Sequence, residues 1–344
     1  MPNSAACYVM PSANGARDTL QFCRGGKGEG DLAPSVAFGA EKNQMSRIGP
    51  MRLKSPLFAP GDSARKIDKA LGSAADAVIL DLEDSVAAPS KPVAREAVAS
   101  RLRAMAHDPR RRAVIVRVNQ PGTEWYLDDL AAVVAGGPAA IMLPKCSGPD
   151  DLRTLDHHLE ALEAAAGLPI GSVRAFPIVT ETARSVFALG AYAPAPVRLA
   201  ALCFGAEDMS ADLGVPPRRA DGAYTAAVVF ARAQVLAAAG ALGVPAIDTP
   251  WPDPRDPDGL RREAEAAAAD GFAGKILIHP DQIEIVNAVF TPPPEQVRWA
   301  ERVRDHFAAN PDAGVFALDG KMIDRPHYRL ALRILAAAGI EPQV

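Results

Sequence analysis

Eight short apolar runs, each followed by a helical or loop pattern, set the limits on what this chain can fold into. They fall at Ser55–Ala59, Ala77–Leu82, Ala113–Val118, Ala139–Leu143, Ala175–Val179, Leu199–Phe204, Val244–Ile247 and Lys275–Ile278. Continuous apolar runs of this length, bounded by turn residues, read as strands buried on both faces, the kind that parallel sheets contain. The segments between them repeat with the period of a helix. In the clearest, Leu152, Leu155, Leu159 and Leu162 share one face and Gly167 ends the pattern. Asp62 or Ser63 can cap the first helix and Gly72 can stop it. Eight strand–helix units over roughly 230 residues predict a (β/α)8 TIM barrel rather than an open doubly wound sheet. The seventh run is the weakest, being short and followed by the proline-rich loop that starts at Thr249.

Residues 1–50 carry no such periodicity and are rich in Gly, Ser, Asn and Ala, so a flexible tail is expected there. The Gly25–Gly30 stretch has the glycines of a phosphate loop, but follows no strand and opens no helix. Met45 or Met51 is a candidate start of the functional chain. Residues 51–290 then form the barrel, and residues 291–344 exceed what a closed barrel needs. Pro292–Pro294 break the chain, Val297, Ala300, Val303 and Phe307 form one helical face, and Asp319-Gly320 marks a turn before a last helix. A C-terminal helical arm or lid is expected, placed over the barrel or over a neighbouring subunit.

Among the 344 residues the net charge is −4, which offers no basic face for nucleic acid. No apolar run reaches the ~18 residues of a membrane helix, and no signal layout opens the chain. The four cysteines, Cys7, Cys23, Cys146 and Cys203, have neither metal nor redox spacing. Reduced thiols in a cytoplasm fit that pattern.

Polar residues cluster just after the strands, where barrels of this kind do their chemistry: Asp81, Glu83, Asp84, Arg117, Asn119, Lys145, Glu181, Asp208, Asp248 and His279. Glu181 and Asp208 each follow an apolar run, about one strand–helix unit apart, and so belong side by side at the mouth. Two carboxylates without a nearby Cys or His suit a hard cation with oxygen ligands, such as Mg2+, with Mn2+ as a substitute. Lys145 could instead form a Schiff base, but Pro144 and Cys146 flank it with no second cation to depress its pKa. His279, before a proline, reads as structural or as part of a pocket.

Several stretches follow one another as in a known family: SPLFAPGD, DAVILDLEDSVA, VRVN, IMLPK, ETARSV, FGAEDMSADLG, GFAGKILIHPDQI and ALDGKMIDRP. From about Arg52 to Ala338 the chain resembles the citrate lyase beta subunit-like branch of the HpcH/HpaI aldolase superfamily, which includes malyl-CoA and citramalyl-CoA lyases. The resemblance implies a TIM barrel, usually trimeric, that uses Mg2+ to make or break a carbon–carbon bond in a 3-hydroxyacyl thioester. It implies Glu181 and Asp208 as the protein ligands of Mg2+, and Arg117 as the cation at the oxygens of the keto acid. It also implies that Asp319 is the carboxylate an arm carries into the adjacent subunit's site. Lys54 stands where the family commonly has Arg, which keeps the charge and loses the two-pronged geometry.

The expected partners are an acyl-CoA and a 2-keto acid. The coenzyme A pyrophosphate could meet the helix opened by Gly61-Asp62-Ser63, with Lys54, Arg65 or Lys66 adding charge; an ordinary surface helix reads equally well there. Glu83, Asp84 and Glu207 are expected to orient metal waters or cap backbone groups. Two other activities fit the same residues: a malyl-CoA thioesterase, and a citrate lyase beta subunit acting on citryl-acyl-carrier protein within a complex.

Overall fold

In the computed structural model, residues 51–106, 113–193 and 198–340 are described. The N-terminal 50 residues, with the Gly25–Gly30 stretch, Met45, Cys7 and Cys23, lie outside them. Eight parallel strands run in chain order: β1 (Pro56–Pro60), β2 (Ala77–Asp81), β3 (Ala113–Arg117), β4 (Ala140–Leu143), β5 (Arg174–Pro177), β6 (Leu202–Cys203), β7 (Ala246–Asp248) and β8 (Gly274–Lys275). The first five pair in sequence as one sheet and the last three as another. Single parallel bridges join the two sheets at both seams. Leu57 pairs with Leu277 on one side, and Ala175 with Leu199 and Ile178 with Cys203 on the other. Hydrogen bonds from Phe58 N to Leu277 O (2.9 Å) and from Leu277 N to Pro56 O (2.8 Å) tie the first seam. The expected ring of eight is present.

β6 and β8 are shorter than their apolar runs. The sixth run nevertheless pairs at both of its ends with the β5 segment, so the sequence signal reports burial over the whole run. Regular ladder survives only over two residues. Inside the ring sit Ile79, Ile115, Met142, Phe176, Ala201, Cys203, Ile247 and Ile276. A larger apolar layer packs the outer strand faces against the helices. These are α1 (Ala64–Leu71), α2 (Lys91–Ala104), α3 (Tyr126–Val134), α4 (Pro149–Ala166), α5 (Ala183–Ala188), α6 (Glu207–Asp212), α7 (Ala226–Leu242), α8 (Pro257–Asp270) and α9 (Ile283–Val289). Leu152, Leu155 and Leu159 are the buried face of α4, and Gly167 ends it in the left-handed conformation.

Asp248 departs from its expected place at the mouth. Its carboxylate accepts from Lys275 Nζ at 2.8 Å and from Arg232 Nε at 3.2 Å, between the strands and the outer helices. Lys275 also reaches Glu263 at 2.5 Å, so α7, β7, α8 and β8 share one buried ion cluster. His279 caps the short turn that follows it, its Nδ1 accepting from Asp281 N at 3.3 Å.

After α9 come α10 (Pro294–Ala309), the antiparallel strands β9 (Val315–Leu318) and β10 (Lys321–Asp324), and α11 (Arg325–Ala337). They enclose a small core of their own, with Ala300, Val303, Phe307, Ile323, Ala331 and Leu335. Asp319 and Gly320 turn the hairpin, both with positive φ (52° and 74°), the two-residue turn that a right-twisted hairpin prefers.

Candidate active site

The carboxylates of Glu181 and Asp208 meet at the mouth between β5 and β6. Thr180 sets the spacing: its hydroxyl accepts from Gly205 N (2.9 Å) and donates to Gly205 O (3.2 Å), which sews the two strand ends together. Gly205 is required there. A Cβ on it would stand 2.9 Å from Glu181 Cγ and 2.9 Å from Ile178 Cγ2, closer than carbon atoms pack. Thr182 then caps α5, accepting from Ser185 N at 3.1 Å, and fixes the chain just beyond Glu181. Asp208 lies in the first turn of α6, where the helix dipole favours a negative charge.

Glu181 is buried, and its carboxyl is pushed well above the usual range. Burial is the main cause, followed by the facing Asp208 carboxyl and the negative charge of Glu83. Its one hydrogen-bond donor from the backbone is Lys145 N, whose residue adopts a left-handed φ of 50°. That conformation costs a non-glycine residue about 1 kcal/mol. Neither Glu181 nor Asp208 has a Lys, Arg or His within ion-pair distance among the described residues, so the pair lacks a direct counter-charge. Among those residues no group of three or more His, Cys, Asp or Glu side chains could hold a metal. A hard dication held by these two carboxylates would keep most of its shell for substrate and water.

Arg117, at the end of β3, is held on one edge. Nε and Nη2 donate to the two oxygens of Asp81 at 2.7 and 2.8 Å, Nη1 stands 3.0 Å from Glu83, and the guanidinium covers the Phe58 ring at 4.6 Å. A guanidinium has five N–H donors, so this arrangement orients the group and leaves others for a ligand. Burial works to raise the Asp81 carboxyl, but the hydrogen bonds and charge of Arg117 outweigh it and hold it below its usual range. Sequence spacing placed Asp81 at the mouth without showing that it anchors Arg117.

Glu83 bridges two cations, Arg117 and Lys145 Nζ (2.5 Å), while Asp84 stands 3.4 Å from the same ammonium. Burial raises the Glu83 carboxyl in spite of both partners. The Lys145 ammonium is desolvated, but Glu83, Glu181 and Asp84 keep its pKa above the ordinary value. A Schiff base needs the neutral amine, so this lysine is poorly suited to one. Glu207 faces solvent.

The structure separates the expected coenzyme A residues. Arg65 and Lys66 are exposed on the first turn of α1, beyond the C-terminal end of β1. Lys54 precedes β1, at the opposite end of the barrel, where its Nζ donates to Thr291 Oγ1 at 3.1 Å. It cannot share one pyrophosphate with the other two. Asp319 is likewise away from the mouth strands. It sits at the hairpin tip, exposed, with both oxygens on Arg302 (2.8 and 2.9 Å). Those bonds hold its carboxyl below the usual range.

Residues 54–280 match the family described as HpcH/HpaI aldolase/citrate lyase. The chain belongs to that family. It is therefore an enzyme of a lyase family, and its ring of strands is the family's barrel. It is 38% identical over 284 residues to a citrate lyase subunit beta-like protein of Mycobacterium tuberculosis, covering 82% of this chain and 94% of the relative. A (3S)-malyl-CoA thioesterase of Cereibacter sphaeroides is 37% identical over 288 residues, covering 83% and 94%. Among solved structures, protein CitE from Mycobacterium tuberculosis in complex with magnesium, acetoacetate and coenzyme A superposes with a TM-score of 0.64. It is 36% identical and covers 84% of this chain and 98% of its own. No helix among the described residues is long and apolar enough to cross a membrane.

Proposed function

We propose that this family member is a Mg2+-dependent carbon–carbon lyase that splits a 3-hydroxyacyl-CoA thioester, of the malyl-CoA or citramalyl-CoA kind, into acetyl-CoA and a 2-keto acid. The observation that carries this reading is the Glu181–Asp208 pair, two facing carboxylates at the mouth with no Lys, Arg or His at ion-pair distance among the described residues. Glu181 and Asp208 would hold the metal. When bound, Mg2+ supplies a Lewis acid for the oxygen that gains charge. The relative solved with magnesium, acetoacetate and coenzyme A supports the ligand set.

The chain's own residues do the rest. Arg117, oriented by Asp81, donates to the keto-acid oxygens and to the alkoxide that forms as the new bond closes. Asp319, ionised and at the tip of the hairpin, takes a proton from the methyl carbon of acetyl-CoA in the condensing direction. It returns that proton in the cleaving one. As the family resemblance implies, we assign Asp319 to the mouth of a second copy, in a homotrimer or a higher homo-oligomer. Exposed Val315, Met322 and Leu330 give the arm an apolar surface for such a contact. Arg65 and Lys66 are left as the cations for the coenzyme A phosphates, and the cytoplasm is the compartment.

The test is incubation of the purified protein with Mg2+, acetyl- or propionyl-CoA and each of glyoxylate, pyruvate and oxaloacetate, followed by mass spectrometry of the CoA esters. One new hydroxyacyl-CoA is expected. Likeness to the malyl-CoA thioesterase favours a second reading, hydrolysis, which release of free CoA and malate from added malyl-CoA, with no acetyl-CoA formed, would establish in its place.

A further inference from the structure

A buried lysine behind the mouth has no part in the reading above. Lys91 opens α2, yet only 6% of it is exposed. No carboxylate lies within ion-pair distance of it among the described residues. Its Nζ donates to two consecutive carbonyls, Leu82 O at 2.9 Å and Glu83 O at 2.8 Å, and sits 5.1 Å from the centre of the Trp125 ring. A buried ammonium without a carboxylate is expensive, and a neutral side chain could fill the space. Its position accounts for the cost.

The two carbonyls belong to the loop that carries Glu83. From the other side the Asp81 carboxylate accepts from Glu83 N (3.0 Å) and Ser85 N (3.1 Å). Asn119 Nδ2 adds a second bond to Leu82 O at 2.9 Å. The Glu83 peptide is thus fixed on both faces, and its carboxylate stands between Arg117 and Lys145. Glu83, Lys91, Trp125 and Lys145 line one cavity of about 290 Å³ at the mouth.

We infer that Lys91 is a positioning residue that acts through Glu83: by pinning the Leu82 and Glu83 carbonyls it holds the Glu83 carboxylate on Arg117 and Lys145. This rests on the proposed role of Arg117 at the substrate oxygens. The ammonium bonds to the Leu82 and Glu83 carbonyls and to neither Glu181 nor Asp208, so its removal should leave metal binding alone and act on the orientation of Arg117.

The test is a double-mutant cycle in the full chain with Lys91→Met and Glu83→Gln. Turnover of acetyl-CoA with the preferred keto acid, calorimetric Mg2+ binding and calorimetric pyruvate binding in Mg2+ are measured for each protein. Lys91→Met should lower kcat about tenfold or more, with Mg2+ affinity within twofold of wild type. The double variant should be no slower than Glu83→Gln alone, since residues that act as one unit do not add. Losses that multiply, or a Lys91→Met enzyme with wild-type kcat, overturn the inference. If Lys91→Met does not fold, Lys91→Leu, which likewise removes the donor to the carbonyls, takes its place; a Leu variant that also fails to fold reduces Lys91 to a structural role and overturns it. If the wild type turns over no keto acid, the lyase reading fails. Non-additivity in pyruvate affinity then still decides the role of Lys91.

Discussion

The barrel mouth and the C-terminal arm carry acids in opposite states. At the mouth, Glu181, Glu83 and Asp81 are buried, and fixed donors surround them. On the arm, Asp319 is exposed and bound to one arginine of the same arm, above a core of its own. A buried acid pair has its geometry set by the fold and draws its counter-charge from a ligand. An exposed acid on a hairpin tip has its placement set by whatever the arm docks against. On the proposed reading, the mouth's half of the chemistry lies within a single chain and the half assigned to Asp319 would depend on assembly.

The largest effect should come from breaking the mouth. Glu181→Gln or Asp208→Asn is expected to abolish turnover, a loss of at least about 10³-fold on the scale of losing a metal's charge stabilisation. The melting temperature should change little, because both residues sit beyond the strands. EDTA should inactivate the native protein and Mg2+ or Mn2+ restore it; full activity in thoroughly stripped protein would contradict the metal reading.

Asp319→Asn should be next, at about 10²- to 10⁴-fold, the range for removing a general base. Exchange of the acetyl-CoA methyl protons should stop while Mg2+ still binds. Mixing this variant with Asp208→Asn, after subunit exchange is confirmed, should recover activity, because mixed oligomers contain sites with both acids intact. No recovery would return Asp319 to its own barrel or to no role at all.

The smallest of these three effects lies at the anchored arginine. Arg117→Lys should lower kcat/KM by about 10²-fold, since an ammonium cannot use the two-pronged fit to Asp81 and still face the substrate. Its anchor also has a pH signature. The Asp81 carboxyl has a folded pKa below its unfolded value, so its stabilisation is full above roughly pH 4 and is lost as pH falls through the folded pKa. Chemical denaturation across the acid range should show a shallower pH slope in Asp81→Asn than in wild type.

Much of the mouth was legible in the sequence because the apolar runs end within a few residues of the strands, and the acids follow. Glu181, Asp208 and Arg117 arrive there by period and count alone. Asp248 shows the limit: a strand-end acid can turn outward to a buried lysine, and alternation over a three-residue strand is too short to say which way. The roles of Lys91 and Gly205 were hidden for a different reason. Lys91 reaches back 8 residues to the Glu83 carbonyl and Gly205 makes room for the Glu181 side chain, and neither contact follows from the strand and helix periods. Lys54 and the α1 cations looked adjacent in sequence, but β1 runs the depth of the barrel between them.

Gly205 has a consequence for related chains. A barrel can keep both acids, its core and its arm, and still lose its chemistry through one methyl group at that position, since a Cβ there would press to 2.9 Å from Glu181 Cγ. Substituted there, a relative would be a silent scaffold, with the carboxylates present in its sequence and out of line in its fold.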